Sequence, residues 1–263
     1  MNLAIPIVVG LAILSSALIA APAMVVEWIK RSSPEVVFQV PMEERVVALT
    51  IDDGPSESTR EILDVLEEHD AQATFFVIGS QVEAHPELLR EILDAGHELG
   101  HHMMEDVPSR DLPEAEFQER FKEMDRILES HGGSWLFRPA SGWYDDEMVE
   151  FALEQGYLTV LGSVYPFDAQ VPSSGFSSWF VRQHAGPGDI LVLHEGMGRG
   201  VRTADALRTI LPDLKRQGYQ VVSVSDLIAL AAGEAVAVSH SDEGVPAPTA
   251  EAEASVPSVP ALQ

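Results

Sequence analysis

Apolar runs and amphipathic stretches alternate along the middle of this chain. Val46–Ile51 is a short run, apolar but for Thr50 and rich in β-branched residues, of the kind that fills a strand buried on both faces. Glu57–His69 then carries helical spacing, with Ile62, Leu63, Val65 and Leu66 apolar. Thr74–Ile78 reads as a strand, and Pro86–Ala95 as a helix entered by proline and closed by Gly96. The pattern continues with a short strand over His97–Leu99 and a long helix over Pro113–His131, stopped by Gly132-Gly133. Trp135–Phe137, Tyr157–Leu161, Ile190–Leu193 and Tyr219–Val222 complete the strands. Asp145–Gln155, Ser173–His184, Thr203–Gln217 and Ser225–Ala232 complete the helices. Strands that alternate with helices imply a parallel α/β sheet, open or closed into an incomplete (β/α) barrel.

The two ends of the chain break this rhythm. Leu3 to Val26 contains no charged side chain, about the ~20 residues needed to cross a bilayer. Glu27, Trp28, Lys30 and Arg31 supply an interfacial edge. Residues 1–30 are therefore expected to be a signal anchor, with a cleavable signal peptide ending near Ala21-Pro22-Ala23 as the rival. Residues 31–45 would link this segment to a catalytic-size domain over 46–232. Residues 233–263, rich in Ala, Pro, Ser, Val and Glu and devoid of aromatics and cations, have the composition of a disordered acidic tail.

Composition narrows the function. The 263-residue chain carries 16 Lys plus Arg against 42 Asp plus Glu, a formal charge of −26. Nucleic-acid binding needs a basic stripe, so no nucleic-acid partner is expected. The absence of cysteine excludes disulfides, thiolate metal sites and cysteine nucleophiles. Nothing in the sequence calls for an oligomer, and a monomer is expected.

The unusual residues gather at strand ends. Asp52-Asp53 follow the first strand, His101-His102 and Asp106 the third, Arg138 the fourth, Asp168 the fifth and His194-Glu195 the sixth. In a β/α barrel the carboxyl ends of the strands form the face that holds the active site. Scattered surface charge would not select that face five times. Singly, each cluster has a structural reading: Asp-Asp-Gly-Pro as a turn, Arg138-Pro139 as a core cation, Asp168 as a helix cap, His194 as a capping histidine. The i, i+4 pair His102/Asp106 suits a metal ion, but His97/His101 and His101/Glu105 share that spacing, which alone does not choose among them.

The ordered set Thr50-Ile-Asp-Asp-Gly-Pro55, Gly96-His-Glu-Leu-Gly100 running into His102, Arg138-Pro139 with Gly142, and Ile190-Leu-Val-Leu-His194 resembles the motifs of the polysaccharide deacetylases, the NodB-homology domain or carbohydrate esterase family 4. The likeness covers about Val46 to Ala232. It implies a distorted (β/α)7 barrel and a metal-dependent hydrolase that removes acetyl groups from N-acetylated or O-acetylated sugars of a polysaccharide or oligosaccharide. By that resemblance Asp52 is the general base, with Arg138 holding it. Asp53, His102 and the residue at 106 are the metal ligands, and His194 is the acid oriented by Asp168. Backbone near Ser141 serves the oxyanion. Zinc is the first metal implied, with cobalt, nickel or manganese as alternatives. Ser141, Gly142, Trp143 and Tyr144 are candidate sugar contacts, and Val192 and Leu193 a slot for the acetyl methyl.

This chain departs from the family pattern at three places. Asp106 stands where histidine is usual, making the first shell formally neutral around a divalent ion instead of +1, which weakens it as a Lewis acid and favours harder metals. Ser141 replaces an aromatic, and Ala169 replaces a tryptophan. These departures leave two alternatives: a non-catalytic sugar-binding barrel, and an amidohydrolase for a small non-sugar amide. Glycoside hydrolysis by paired acids leaves His102 and Asp106 without a task. The expected place of action is the cell envelope, with the chain membrane-anchored or exported.

Overall fold

The computed structural model describes residues 35–233. The hydrophobic segment and the acidic tail beyond Gly233 lie outside these residues. Among the described residues no helix is long and apolar enough to cross a membrane.

The chain order is β1 (Val36–Val37), β2 (Val46–Gly54), α1 (Thr59–Glu68), β3 (Thr74–Val77), α2 (Gly79–Ala84), α3 (Pro86–Asp94), β4 (Glu98–His101), α4 (Glu114–Glu129), β5 (Leu136–Phe137), α5 (Asp146–Glu154), β6 (Leu158–Val160), α6 (Ser174–His184), β7 (Ile190–His194), α7 (Gly200–Arg216), β8 (Gln220–Val222) and α8 (Val224–Ala231). All strand pairings within the sheet are parallel, in the order β1-β6-β5-β4-β3-β2-β7, with β8 also on β2. A parallel bridge between Val164 and Leu191 joins the continuation of β6 to β7, the far end of this path. The sheet thus closes into a distorted α/β barrel.

The seven strands expected from the sequence are present. The eighth, β1, falls in the segment read as a linker. It is two valines long and exists through its pairing of Val36 and Val37 with Thr159 and Val160, a contact no local pattern announces. Helix α2 was likewise not expected; it is a short element, six residues long.

Every residue of β2 is buried, and its two faces do different work. Val47, Leu49 and Ile51 pack outward into the core shared with α1 and α7, through Ile62, Leu66, Leu207 and Ile210. Val46 and Ala48 point into the barrel, where Phe76, Leu136, Val160, Ile190 and Val222 make an apolar floor. Alternation along the strand places Thr50 and Asp52 on the same inner face. The barrel interior therefore turns from apolar to polar over two residue pairs.

Phe76 joins the floor to the site above it. The Arg138 guanidinium lies 4.0 Å from its ring centroid, a cation–π contact strengthened by burial. Gly100, paired with Phe76 across β3 and β4, leaves room for that ring; a Cβ there would collide with it. Gly100→Ala should therefore cost about 1–3 kcal/mol through overpacking, read as a lowered denaturant midpoint. An unchanged midpoint would show that the ring is free to move and does not brace Arg138.

Candidate active site

Two adjacent carboxylates at the end of β2 anchor the site. Neighbouring side chains of a regular strand point to opposite faces, so both could share a cavity if the strand ended at Ile51, where the apolar run of the sequence stops. The structure solves this differently. β2 runs on to Gly54, and its register against β3 shifts between Asp52 and Gly54. Asp53 takes the left-handed conformation, φ 67°. The bulge turns Asp53 to the side that Asp52 already faces, at the cost of a conformation unfavourable for a non-glycine residue. Gly196 packs directly on Asp53, and a Cβ at 196 would strike it.

Asp52 is 2% exposed. Its Oδ1 accepts a 2.6 Å hydrogen bond from Arg138 Nη1. Arg138 is itself fixed: Nε donates to the Val160 carbonyl at 3.0 Å, Nη1 also to Thr50 Oγ1 at 2.7 Å, and Nη2 to the Leu161 carbonyl. On the other side, His194 Nε2 lies 3.9 Å from Asp52 Oδ2. His194 Nδ1 faces Asp168 Oδ1 at 3.0 Å, and the His194 amide donates to Asp168 Oδ2 at 2.8 Å. Asp168 thus fixes the ring and its tautomer. Burial pushes the His194 pKa down, but the Asp168 hydrogen bond and the charges of Asp52, Asp168 and Asp53 outweigh it and raise it above the ordinary value.

Asp53 and His102 form the second pair. His102 Nδ1 lies 2.7 Å from the Arg138 carbonyl, so it must donate there. In a neutral ring Nε2 then carries the lone pair, and it faces Asp53 Oδ1 at 3.3 Å. Two acceptors at that distance need a cation between them, a proton or a metal ion. The other Asp53 oxygen, Oδ2, accepts from Arg199 Nη2 at 2.5 Å. Burial alone would raise the Asp53 pKa; the His102 hydrogen bond and the charges of His102, His194 and Arg199 hold it well below the usual carboxylate range. Asp106 lines the same cavity but is exposed. Among the described residues no three His, Asp or Glu side chains are drawn together closely enough to hold an ion.

These groups line a cavity of about 480 Å³ at the mouth of the barrel, within the usual range for a small-molecule site. Ser141, Gly142, Trp143 and Val192 line it with Asp52, Asp53, His102, Arg138 and His194. Ser141 is left-handed, φ 65°. The amides on either side of it are spent internally, Ala140 on Ser109 Oγ and Gly142 on the Pro139 carbonyl. Two expected contacts fall elsewhere. Leu193 is buried in the outer core, because it alternates with Val192 and His194 along β7. Tyr144 packs half-buried against Val36, Phe38 and Val149 and does not line the cavity. Asp168 lies behind His194 instead of in the cavity wall.

The remaining histidines resolve the open spacings. His101 is fully buried, stacks on Phe121 at 4.1 Å, and uses both ring nitrogens on backbone groups of Phe121 and Met103. Burial pushes its pKa down to about 3 and that of His97 down to about 4. Both are neutral core residues. The sequence reading missed Arg199, Tyr165 and Gln170, which line the cavity, and did not assign Glu195 a role. Arg199 and Glu195 do obey the strand-end rule, in the loop after β7. Glu195 is fully buried, accepts from Ser56 and Thr59, and is raised by burial to about 7. It braces the turn that follows Asp53.

A sequence profile described as "Polysaccharide deacetylase" matches residues 39–160. A peptidoglycan-N-acetylglucosamine deacetylase of Bacillus cereus is 36% identical over 201 residues, 73% of this chain and 92% of that protein. The chain belongs to the polysaccharide deacetylase family. Members are hydrolases that remove acetyl groups from the sugars of polysaccharides, and they depend in general on a divalent metal. Among solved structures, the Bc1960 peptidoglycan N-acetylglucosamine deacetylase, in complex with 4-naphthalen-1-yl-N-oxidanyl-benzamide, superposes with a TM-score of 0.71 at 29% identity, over 75% of this chain and 94% of that one. BA3943 of Bacillus anthracis, described as a CE4 family pseudoenzyme, superposes with a TM-score of 0.68 at 28% identity, over 74% and 69%.

The His194–Asp168 pair gives a direct test in this deacetylase fold. Asp168→Asn should lower the His194 pKa, seen by NMR titration of the ring. A histidine whose pKa is raised on folding contributes stability in full below its unfolded value of about 6.5, and loses it as pH rises through the folded value. The destabilisation by Asp168→Asn should therefore be largest below about pH 6.5 and shrink at alkaline pH. A difference independent of pH would contradict the pairing.

Proposed function

We propose that this chain removes N-acetyl groups, or O-acetyl groups, from sugars of a cell-envelope glycan such as peptidoglycan. The observation that carries the reading is the arrangement on one cavity: Arg138-held Asp52 and Asp168-held His194 flank the facing pair Asp53 and His102. Amide hydrolysis needs a base for the attacking water, charge stabilisation for the oxyanion and an acid for the departing amine. The cavity offers one group for each.

Asp53 and His102 would hold a divalent ion, and Asp106 on the cavity rim is the third donor available. The donor set fits a metal: His102 is oriented by a backbone acceptor in the manner of metal-ligating histidines, and its Nε2 faces Asp53 Oδ1 at 3.3 Å, where a proton or a metal ion can bridge them. Zinc suits these ligands, and the oxygen-rich set also admits manganese, cobalt or nickel. Such an ion supplies Lewis acidity to water and to the acyl oxygen. Arg199 adds a positive charge on Asp53, which offsets the negative charge that Asp106 brings in place of a neutral ligand.

The protein groups do the rest. Asp52 Oδ2, the oxygen left free by Arg138, takes the proton from the attacking water. His194 Nε2, 3.9 Å from that carboxylate, delivers a proton to the leaving nitrogen. The Ser141 amide, between two amides already engaged, faces the developing oxyanion. Val192 lines the wall beside His194 and suits the acetyl methyl, while Trp143, 62% exposed, offers a stacking face for the sugar ring. Envelope action agrees with a membrane-anchored or exported chain and with a carbohydrate partner.

A silent sugar-binding barrel is the second reading, favoured by the exposed position of Asp106. The two part on chelation. Stripping the ion abolishes acetate release and restoring it recovers activity in the hydrolase; the silent barrel shows neither change. In the active protein Asp52→Asn should lower kcat by about 10²–10⁴ while the bound metal, measured by elemental analysis, stays stoichiometric. Asp53→Ala should lose both. Full turnover by Asp52→Asn on an N-acetylated sugar would remove the base assignment.

A further inference from the structure

The surface of α6 carries an aromatic strip that the catalytic reading leaves without a task. It begins inside the cavity, where the Tyr165 ring lies 5.6 Å from His194. Tyr165 meets Phe167 at 5.2 Å, and Phe167 meets Phe180 of α6 at 5.8 Å. Phe180 touches Phe176 at 6.1 Å and stacks on His184 at 4.1 Å, and Phe176 meets Trp179 at 5.7 Å. Rings thus follow one another without a break from the catalytic histidine to the outer face of the helix. Phe167 and Trp179 are 44% and 47% exposed. Tyr165, Phe176 and Phe180 between and beside them are half-buried, with Phe180 resting on the core, so the series presents two exposed rings on a half-exposed aromatic base, an apolar patch of the kind that marks a binding surface.

The charge pattern agrees. The chain has 42 acidic residues, yet between Glu154 and Asp189 the sequence has a single one, Asp168, which is buried against His194. The exposed titratable groups of α6 are Arg182 and His184. An acidic polymer is repelled by a chain of net charge −26, but α6 itself brings no carboxylate to this face, and the nearby Asp213 of α7 is paired with Arg182 at 3.8 Å. The cavity holds about 480 Å³, room for a short piece of a polysaccharide, so a polymer must leave it across the surrounding surface.

We propose that the strip Tyr165–Phe167–Phe180–Phe176–Trp179 is a docking track for the glycan strand whose sugar occupies the cavity, its ring faces stacking on the aromatics. The proposal rests on the deacetylase reading and extends it to a contact outside the reacting centre. Continuity with the cavity selects the glycan over other occupants, and the absence of carboxylates from α6 itself admits an acidic strand.

The test uses the full chain, with Trp179→Ala and Phe176→Ala, against purified peptidoglycan sacculi and a short soluble N-acetylglucosamine oligosaccharide. Co-sedimentation should show sacculus binding weakened about threefold to tenfold by either substitution. KM for acetate release from sacculi should rise in step, while kcat and KM on the short substrate stay within about twofold of the unsubstituted protein. Trp179→Phe should retain most of the binding. Unchanged sacculus binding in both variants overturns the proposal, as does an equal loss on short and long substrates. Substitutions that abolish sedimentation with lipid vesicles, or self-association, while sacculus binding persists assign the face to a membrane or a second copy and also overturn it. Absence of acetate release from every substrate, with sacculus binding still sensitive to Trp179, would sink the deacetylase reading and leave the track standing.

Discussion

Two buried negative charges on consecutive residues dictate the design of this molecule. Asp52 and Asp53 are 2% and 6% exposed, and carboxylates taken out of water survive only if paired and hydrogen-bonded. The protein supplies four cationic or protonatable groups from four segments. Arg138 comes from the end of β5, His102 from the end of β4, and His194 and Arg199 from β7 and the loop after it. No local stretch of chain can gather these groups. A closed parallel sheet can, because it brings all of its carboxyl ends to one rim. The barrel is thus the device that makes the adjacent carboxylates tolerable, and their unequal partners make them chemically different.

That difference arises from position on the inner wall. The floor below is apolar, and Thr50 marks the transition, donating to the Leu191 carbonyl and accepting from Arg138. Arg138 sits on Phe76 and braces Asp52 from below and behind, leaving Oδ2 toward the cavity. Asp53, turned by the bulge, meets His102 and Arg199 instead. On the proposed reading one carboxylate keeps an oxygen for proton transfer and the other keeps one for a cation. A similar division holds behind the wall: Asp168 and Glu195 do not line the cavity, yet one fixes the His194 ring and the other the turn after Asp53.

Much of this was legible in the order of residues. The strand-end clustering of Asp52, His102, Arg138 and His194 follows from barrel geometry alone, and these four do share one cavity. The features that escaped have physical reasons. The bulge at Asp53 depends on a register shift against β3, which no single-strand pattern encodes. β1 is held only by its partner strand. Leu193 looked equivalent to Val192 because adjacent apolar residues carry no mark of the face they take. His101 and His102 differ by one residue but fall on opposite sides of β4's end, one into the aromatic cluster of Phe121 and Phe137 and one into the cavity. Arg199 sits in a loop, where position follows from packing and not from periodicity. Its contact with Asp53 alters the charge count that the sequence alone had made neutral.

The central claim is that the facing acceptors on Asp53 and His102 exist to share a divalent cation. An anomalous-scattering map from crystals grown with zinc tests it most directly. The account predicts one strong peak between them, about 2.0–2.2 Å from Asp53 Oδ1 and from His102 Nε2. A map without a peak there, with His102 still turned to Asp53 and joined to it by a proton, would contradict it.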